Sequence, residues 1–324
     1  MSWTPLDLIL NVSAWGTSIR ERPAGSLSTM CPVGTQISNE YRRVGGASYF
    51  VVEGGSGPPV LLLHGFPETH RCWDRVVPRL AETYRVVTPD LRGYGASQAP
   101  SGGPHGEGYS KREMAADLVE LMAGLGHERF VVVGHDRGAR VAYRMALDHP
   151  GVTIQVALLN VLPTVVQFEL MGGGPSLGYW PWFFLAQPAP FPERLISADP
   201  DAVLEHVFAT WAGNPDAISS DRRAAYRAAM TAETIAAMCA DYRASLCLDR
   251  QHDFDDRQAG HRISVPVLII TGEDETQLRD ASDIWRSWTL DLRAVRVPGG
   301  HFIPEEAPDE LTDVLLRFLE PDNE

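Results

Sequence analysis

The sequence predicts an α/β fold, in which a doubly wound and mostly parallel sheet carries an inserted helical cap. Two observations support this prediction. Between residues 48 and 160, short apolar runs alternate with amphipathic helical segments, a pattern typical of parallel strands joined by helical crossovers. The alternation stops near residue 163 and resumes at residue 265, so we expect the intervening segment to lie outside the sheet.

Each element of this fold has a local signal. Strands are predicted over residues 48–53, 60–63, 84–88, 130–133, 154–159, 267–270 and 293–297, and helices over 72–82, 111–125, 137–148, 201–211, 221–230, 231–246, 279–288 and 305–319. The apolar run VLLL at 60–63 is typical of a strand buried on both faces. In the helix 111–125, Met114, Leu118 and Leu121 lie on one face, as the helical period requires.

These elements divide the chain into four segments. Residues 1–40 form an amino-terminal arm to which the sequence assigns no role, because prolines and glycines interrupt its apolar residues. Residues 41–162 and 261–324 form the α/β core, and residues 163–260 form the helical cap. We expect the cap to cover the carboxyl edge of the sheet.

The composition limits the partners of the protein. The chain has 324 residues, of which 44% are hydrophobic and 22% are charged, and its formal net charge is −14. This charge argues against nucleic acid and anionic membranes as partners, and a small anionic substrate would need local cations. Four cysteines without metal-ligand spacing, the lack of an apolar run as long as a membrane span and the lack of a basic amino-terminal start indicate a cytoplasmic protein.

The central motif is GHDRG at residues 134–138, between an apolar strand and a helix. It has the small-x-nucleophile-x-small pattern of a nucleophile elbow, with Asp136 in the nucleophile position. A carboxylate is suited to displacement at saturated carbon, because it leaves an alkyl-enzyme ester that water can hydrolyse. The motif therefore points to carbon–halogen bonds or epoxides. The alternative is a tight turn in which Asp136 caps the following helix.

Two further motifs complete this chemistry. The run HGFPE at 64–68 follows a buried strand, where elbow enzymes place one donor of the oxyanion hole. The backbone N–H groups of Phe66 and Arg137 are the predicted donors. His301, in a turn after the last strand, is the predicted base that activates water. The order nucleophile, acid, histidine is that of the α/β-hydrolase fold.

The chain resembles the fluoroacetate (haloacetate) dehalogenases of the α/β-hydrolase superfamily. The resemblance rests on HGFPET at 64–69, DLRGYGAS at 90–97, GHDRGARVAYRMALDHP at 134–150, QPAPFPE at 187–193, DYRA at 241–244 and PGGHF at 298–302. HGFP and DLRGYG are shared with epoxide hydrolases. The resemblance implies the same nucleophile and base, Arg137 and Arg140 as the clamp for a substrate carboxylate, Trp182 and Tyr242 as donors to the departing halide, and a homodimer.

The two arginines also have a physical reason to bind an anion. They lie in the first turn of the helix that begins at the elbow, where the helix dipole disfavours cations. A bidentate grip on a carboxylate beside the nucleophile would offset that cost. The alternative is an ion pair with an acidic residue elsewhere in the chain.

Two positions depart from the family pattern. Asn160 stands where the family has the aspartate that orients the histidine, and asparagine cannot balance the charge of an imidazolium. We therefore expect the acid in the run EDE that follows the next strand, with Asp274 preferred over Glu273 and Glu275. Pro181 stands where the family has a histidine that donates to fluoride. Loss of one donor costs roughly two to three orders of magnitude in rate, which argues against fluoride as the leaving group and leaves chloroacetate, bromoacetate or a larger carboxylate-bearing substrate as candidates.

Three functions compete. The first is a dehalogenase that acts at the carbon next to a carboxylate, and the second is an epoxide hydrolase in which Tyr242, together with Tyr179, donates to the epoxide oxygen. A neutral epoxide gives Arg140 nothing to bind, whereas an epoxide that carries a carboxylate would bind it. The third is a non-catalytic, ligand-binding α/β hydrolase, which the presence of both Asp136 and His301 argues against. Both enzymes would use water as the second substrate and no metal or organic cofactor.

Overall fold

The computed structural model describes residues 29–30, 36–171, 174–275, 278 and 281–320. Its strands are β1 (Thr29–Met30), β2 (Gln36–Val44), β3 (Ala47–Gly54), β4 (Pro59–Leu63), β5 (Arg85–Pro89), β6 (Phe130–His135), β7 (Thr153–Leu159), β8 (Val267–Gly272) and β9 (Leu292–Val297). They form one sheet in the order β1-β2-β3-β5-β4-β6-β7-β8-β9. Strands β4 to β9 pair in parallel, and β1 to β3 add an antiparallel edge. The predicted α/β fold class is confirmed.

The order of the strands locates the functional edge of the sheet. Strand β4 lies between β5 and β6, so the chain winds away from it in both directions. In open α/β sheets, ligands bind outside the carboxyl ends of the strands at such a switch point. Every residue of β6 is buried, and so is most of β4. The loops that follow these two strands, which begin at His64 and Asp136, therefore meet at this edge.

The helices fall into two groups. The core helices are α1 (Val77–Leu80), α2 (Lys111–Gly124), α3 (Arg137–Asp148), α11 (Ala281–Arg286), α12 (Ile303–Glu306) and α13 (Pro308–Leu319). Between β7 and β8 lie α4 (Thr164–Leu170), α5 (Trp180–Phe184), α6 (Phe191–Ala198), α7 (Pro200–Trp211), α8 (Ser220–Ala229), α9 (Ala232–Ala244) and α10 (Arg250–Ala259). We refer to this second group, residues 164–259, as the cap. Within the described ranges, none of the helices is long and apolar enough to span a membrane.

Several elements differ from the sequence prediction. The predicted helix 72–82 is a 3₁₀ turn, His70–Trp73, followed by the short α1, in which Pro78 cannot donate a backbone hydrogen bond. The predicted helix 231–246 is α9 followed by a π-helical turn, Ser245–Asp249. The predicted arm covers residues 1–40, and its last residues form β1 and the beginning of β2. Residues 1–28 and 31–35 of that arm lie outside the described residues.

Buried ion pairs join the cap to the core. Lys111 of α2 contacts the carboxylates of Asp241 and Asp249 in the cap. Arg144 of α3 lies 2.7 Å from Asp253 Oδ1. These side chains are almost fully buried, and removal of such charges from water offsets much of their attraction. We therefore expect the pairs to orient the cap on the core more than they add stability.

A second buried contact joins α8 of the cap to α12 of the core. Tyr226 donates a hydrogen bond to the carboxylate of Glu305, and Arg222 Nε lies 3.2 Å from the same oxygen. Burial raises the pKa of Glu305 from an ordinary value of 4.5 to about 7, and Tyr226 and Arg222 oppose that shift in part. The folded state therefore binds this proton more tightly than the unfolded state does. The contribution of Glu305 to stability should fall as the pH rises from about 4.5 to about 7.

Replacement of Glu305 by glutamine should remove this part of the pH dependence. From about pH 5 to pH 8, the natural protein should lose up to about 3 kcal/mol more of its free energy of unfolding than Glu305→Gln loses. The reason is that the amide does not ionise. Urea unfolding at both pH values measures the difference. Glu310→Gln, on the exposed face of α13, is the matched control. The same pH dependence in Glu305→Gln and in the natural protein would contradict the prediction.

Candidate active site

Asp136 occupies a strained turn between β6 and α3. Its backbone has φ 46° and ψ −109°, in a region that side-chain-bearing residues rarely adopt. The flanking glycines permit this turn, because a Cβ atom on Gly134 would lie 2.5 Å from Gly138 O and one on Gly138 would lie 2.4 Å from Leu63 O. Asp136 makes no side-chain capping bond to α3. The elbow geometry is thus present, and the helix-cap alternative is wrong.

The Asp136 carboxylate is buried and held as an anion. The backbone N–H of Phe66 donates to Asp136 Oδ2 over 3.0 Å. Burial by itself raises the pKa of Asp136, but the charges of His301, Arg137 and His135 together with the Phe66 hydrogen bond outweigh it, so the pKa lies below its ordinary value. The carboxylate is therefore ionised at neutral pH. The second predicted donor, the Arg137 N–H, stays a prediction.

His301 lies in the loop after β9, on the wall of the same cavity as Asp136. Its Nε2 atom has no hydrogen-bond partner among the described residues. The ring packs against Trp211, with ring centroids 4.9 Å apart, and against His135, with centroids 5.0 Å apart. His301 lines the cavity, and an imidazole nitrogen without a protein partner can accept a proton from water.

The acid next to His301 is Glu275 rather than the predicted Asp274. Glu275 Oε2 lies 3.6 Å from His301 Nδ1, close enough for an ion pair but too far for a hydrogen bond. Asp274 is exposed, and its carboxylate lies against Gly213, where an added Cβ would be 2.5 Å from Asp274 Oδ2. The two side chains leave the turn after β8 in different directions. The longer glutamate points toward the histidine.

Asn160 holds the backbone of the histidine loop. Its Nδ2 donates to Gly300 O and to His301 O, each over 2.9 Å, and its Oδ1 accepts a hydrogen bond from Gly272 N over 3.0 Å. Asn160 itself has φ 48°. An aspartate could not donate to the two carbonyl groups. The asparagine at this position therefore links β7 and β8 to the loop that carries His301.

Substitution of Glu275 and of Asp274 should affect turnover to different extents. Glu275→Gln should slow turnover about tenfold, because it removes the charge that balances a protonated His301, while Asp274→Asn should change it less than about twofold. The moderate size follows from the partial exposure of the Glu275–His301 pair. Steady-state halide release from chloroacetate measures both rates. A larger loss in Asp274→Asn than in Glu275→Gln would restore the assignment made from the sequence.

A buried pair beside Asp136 was not predicted from the sequence. His135 Nδ1 lies 2.8 Å from Glu68 Oε2, and His135 Nε2 lies 2.7 Å from His301 O. Burial by itself lowers the pKa of His135, but the Glu68 carboxylate raises it more, so the net pKa lies above the ordinary value. The His135 ring therefore holds the backbone carbonyl of His301 in place through a hydrogen bond. The signal was available, since Glu68 and His135 both belong to motifs that border the elbow.

The two predicted clamp arginines have different partners. Arg137 is fully buried and binds Asp241 through two hydrogen bonds, from Nε and from Nη2, each 2.8 Å long. Arg137 Nη2 also donates to Ser245 Oγ over 2.7 Å. The Arg137 side chain does not line the cavity that contains Asp136. Its Nη1 atom has no partner within the described part of the chain, so both N–H donors of this nitrogen remain unused.

Arg140 lines the cavity and lacks an acidic partner. Its Nη1 donates to Leu162 O over 3.0 Å and to Thr164 Oγ1 over 3.1 Å. No carboxylate of the described residues lies within 4.0 Å of its guanidinium, although the side chain is only 3% exposed. Burial lowers the pKa of Arg140. A buried guanidinium without a counter-ion is costly, and a ligand carboxylate would supply the missing charge.

Trp182 and Tyr242 stand together on the cap side of the cavity. Their ring centroids are 5.4 Å apart, and the Arg140 guanidinium lies 4.5 Å from the Trp182 ring centroid. Neither Trp182 Nε1 nor Tyr242 Oη makes a hydrogen bond to another described residue. Burial raises the pKa of Tyr242, so its hydroxyl stays protonated. Pro181 is buried beside Trp182 and supplies no donor.

One cavity of about 680 Å³ brings most of the predicted residues together. Core residues form its floor and cap residues form its roof. Of the predicted residues, it is lined by Asp136, Arg140, Trp182, Tyr242, Asp274 and His301. Phe66 reaches the site through its backbone N–H, and the Arg137 side chain lies outside it.

Comparison with known proteins agrees with this geometry. A family model described as the α/β hydrolase fold matches residues 58–308. The chain belongs to the α/β-hydrolase family. A fluoroacetate dehalogenase from a Burkholderia species is 42% identical to this α/β hydrolase over 85% of the chain and 91% of that protein. A soluble epoxide hydrolase from Corynebacterium sp. (strain C12) is 30% identical over 89% of the chain and 99% of that protein.

The solved structures include similar folds. A protein from Nostoc sp. PCC 7120, described as an α/β hydrolase, is 41% identical and superposes with a TM-score of 0.84 over 87% of this chain and 98% of that one. The predicted superfamily and the resemblance to haloacetate dehalogenases are thus confirmed, and this α/β hydrolase is an enzyme. Because epoxide hydrolases are also among its relatives, the residues of the cavity must distinguish the two reactions.

Proposed function

We propose that this α/β hydrolase removes halide from the carbon next to a carboxylate, through an ester on Asp136. The observation that supports this proposal most directly is the state of Arg140. It is buried in the wall of the cavity that holds Asp136 and has no carboxylate partner among the described residues. A carboxylate bound there would place its neighbouring carbon beside the nucleophile. The 42% identity to a fluoroacetate dehalogenase supports the same reaction.

In the first step, Asp136 Oδ1 attacks the carbon that bears the halogen. A carbon–oxygen bond forms as the carbon–halogen bond breaks, and the bonding electron pair leaves with the halide. Trp182 Nε1 and Tyr242 Oη, which have no partner among the described residues, donate hydrogen bonds to the halide as its charge develops. Arg140 holds the carboxylate and fixes the direction of attack.

In the second step, His301 Nε2 takes a proton from water, and the resulting hydroxide attacks the carbonyl carbon of the ester. Negative charge collects on Oδ2, which the Phe66 N–H already contacts. Collapse breaks the bond between Oδ1 and Asp136 Cγ, so Oδ1 leaves as the alkoxide oxygen of the product and the oxygen of the water stays in the Asp136 carboxylate. The leaving alkoxide takes the proton from His301, and a 2-hydroxy acid is released. Glu275 lies next to the imidazolium that exists between these events.

Isotope labelling during a single turnover tests the proposal. With enzyme in excess over chloroacetate in water labelled with heavy oxygen, the hydroxyl oxygen of the product should be unlabelled, because it comes from Asp136. The label should appear in the peptide that contains Asp136. Hydrolysis of chloroacetate by hydroxide alone is the control and gives a labelled product. A labelled product from the first enzymatic turnover would exclude the ester and the proposed mechanism.

An epoxide hydrolase is the second candidate, and the position of two tyrosines favours it. Tyr179 and Tyr242 both line the cavity that contains Asp136. Two phenol hydroxyls on the cap side could donate to an epoxide oxygen while Asp136 attacks the ring carbon. Burial raises the pKa of both phenols, which keeps the protons available. Conversion of a carboxylated epoxide to its diol, faster than release of halide from chloroacetate, would favour this candidate.

A further inference from the structure

We propose that the substrate is a 2-halocarboxylate with a bulky aromatic substituent, and that the outer half of the cavity binds this substituent. This half, which we call the outer subsite, is formed by Gln167, Tyr179, Trp180 and His206. The inference rests on the proposed dehalogenase function. It adds the substrate class and assigns the cap residues of the outer subsite a role in selecting it.

The size of the cavity exceeds the needs of a haloacetate. A haloacetate has five non-hydrogen atoms and occupies on the order of 100 Å³, about the space of three to four water molecules. The cavity has a volume of about 680 Å³, in the range of sites that bind ligands of several rings. A haloacetate on Arg140 would leave most of this space to water.

The length of α7 indicates how far the outer subsite lies from the reacting groups. Trp211 at the end of α7 contacts the ring of His301, with centroids 4.9 Å apart. His206 lies five residues earlier and contacts the ring of Trp180, with centroids 5.7 Å apart. Five residues of α-helix span about 7.5 Å. The outer subsite therefore begins roughly one aromatic ring away from the base.

The walls of the outer subsite have the character of an aromatic binding site. Tyr179 and Trp180 at the start of α5 present large rings, and Trp182 and Tyr242 continue the aromatic surface toward Asp136. Aromatic walls of this kind bind rings through apolar burial and edge-to-face contacts. A saturated or highly charged substituent would gain less from them.

Two unused donors indicate that the substituent carries an acceptor. Gln167 is 3% exposed, and its side chain lies beside the Tyr179 hydroxyl, whose raised pKa it opposes in part, but its Nε2 makes no hydrogen bond of normal geometry within the described ranges. Trp180 Nε1 is likewise buried without a partner. Buried donors without partners are rare because each costs free energy, and a bound acceptor removes that cost. Gln167 also follows Thr164, which binds Arg140, by one helical turn, so the donor lies close to the carboxylate clamp.

A matched set of substrates tests this proposal. The first pair is 2-chloropropanoate and 2-chloro-3-phenylpropanoate, which have the same reacting carbon and differ by one phenyl group. The phenyl compound should have a kcat/KM at least about tenfold higher, because the outer subsite buries its ring. A third compound with a 4-acetyl group on the ring should gain about fivefold more, by accepting a hydrogen bond.

Two variants assign the effect to the outer subsite. Gln167→Leu should remove the gain from the acetyl group and keep the gain from the phenyl group. Trp180→Ala should lower kcat/KM for the phenyl compound about tenfold more than for 2-chloropropanoate. Phe183→Ala is the matched control, since Phe183 lies on the same helix but is 48% exposed and does not line the cavity. It should leave the ratio between the substrates as it is.

The outcomes separate this inference from the function on which it rests. Equal or faster hydrolysis of 2-chloropropanoate, with an ester on Asp136 detected by mass spectrometry, would overturn the substrate class and leave the dehalogenase function in place. A phenyl gain that Trp180→Ala does not reduce would overturn the outer subsite as its cause. No halide release and no ester from any of the three compounds would overturn the proposed function and this inference together.

Discussion

With glutamine in place of His301, this α/β hydrolase should stop halfway through its reaction and accumulate an ester on Asp136. The first step needs the Asp136 anion, which Arg137, His135 and the Phe66 N–H still stabilise in His301→Gln, whereas the second step needs a base for water. We expect the rate of ester hydrolysis to fall by about 10⁴-fold. Intact-protein mass spectrometry after incubation with chloroacetate should show a gain of one carboxymethyl group.

The control for this experiment is the double variant Asp136→Asn with His301→Gln. An amide is a far weaker nucleophile than a carboxylate, so the double variant should gain no mass. Fragmentation should place the added group on the peptide that contains residue 136. A His301→Gln variant that neither releases halide nor forms the ester on Asp136 would show that the histidine acts in the first step, contrary to the proposed mechanism.

Replacement of Arg140 by methionine should lower kcat/KM for chloroacetate by about 10³-fold. The side chain supplies the buried positive charge that the cavity offers to a carboxylate, and two charge-assisted hydrogen bonds to an anion are worth roughly 4 kcal/mol together. Methionine keeps most of the volume and removes the charge. Steady-state halide release measures the loss, and thermal unfolding of both proteins checks that the variant is folded.

Chloroacetamide is the matched neutral substrate for this variant. It has the same reacting carbon and halide as chloroacetate but no carboxylate, so Arg140→Met should change its kcat/KM less than about tenfold. An equal loss with both compounds would mean that Arg140 supports the structure of the site and does not bind the substrate carboxylate. A glycidate substrate, which carries a carboxylate beside its epoxide, should lose as much as chloroacetate in this variant.

The two arginines illustrate why part of the site was beyond the sequence. Arg137 and Arg140 lie one turn apart on α3, and the same dipole argument predicted a substrate-binding role for both. In the fold, Asp241 of the cap reaches Arg137 and binds it through two nitrogens, whereas no described carboxylate reaches Arg140. The distinction depends on a residue that is 104 positions away in the chain. Local pattern carries no information about such a contact.

The sequence could not rank the three candidate acids for a related reason. The run EDE at 273–275 offers three carboxylates within one turn, and the sequence contains nothing that orders them by distance to His301. The path of the backbone after β8 turns Asp274 toward Gly213 and Glu275 toward the histidine. Asn160 was similarly described as a loss of charge, while the fold uses its amide to donate to two carbonyl groups of the histidine loop.

By itself, the sequence determined the parallel sheet, the presence of a helical insertion, the elbow at Asp136 and the placement of a histidine after the last strand. Each of these depends on residues adjacent in the chain, namely apolar runs, helical periodicity and glycines that permit one backbone turn. The tertiary structure alone decided which arginine faces the cavity, which acid lies next to the base, that Glu68 and His135 form a buried pair, and how large the cavity is. These properties arise from side chains that are distant in sequence and meet when the cap packs on the sheet, so their physical origin is long-range packing.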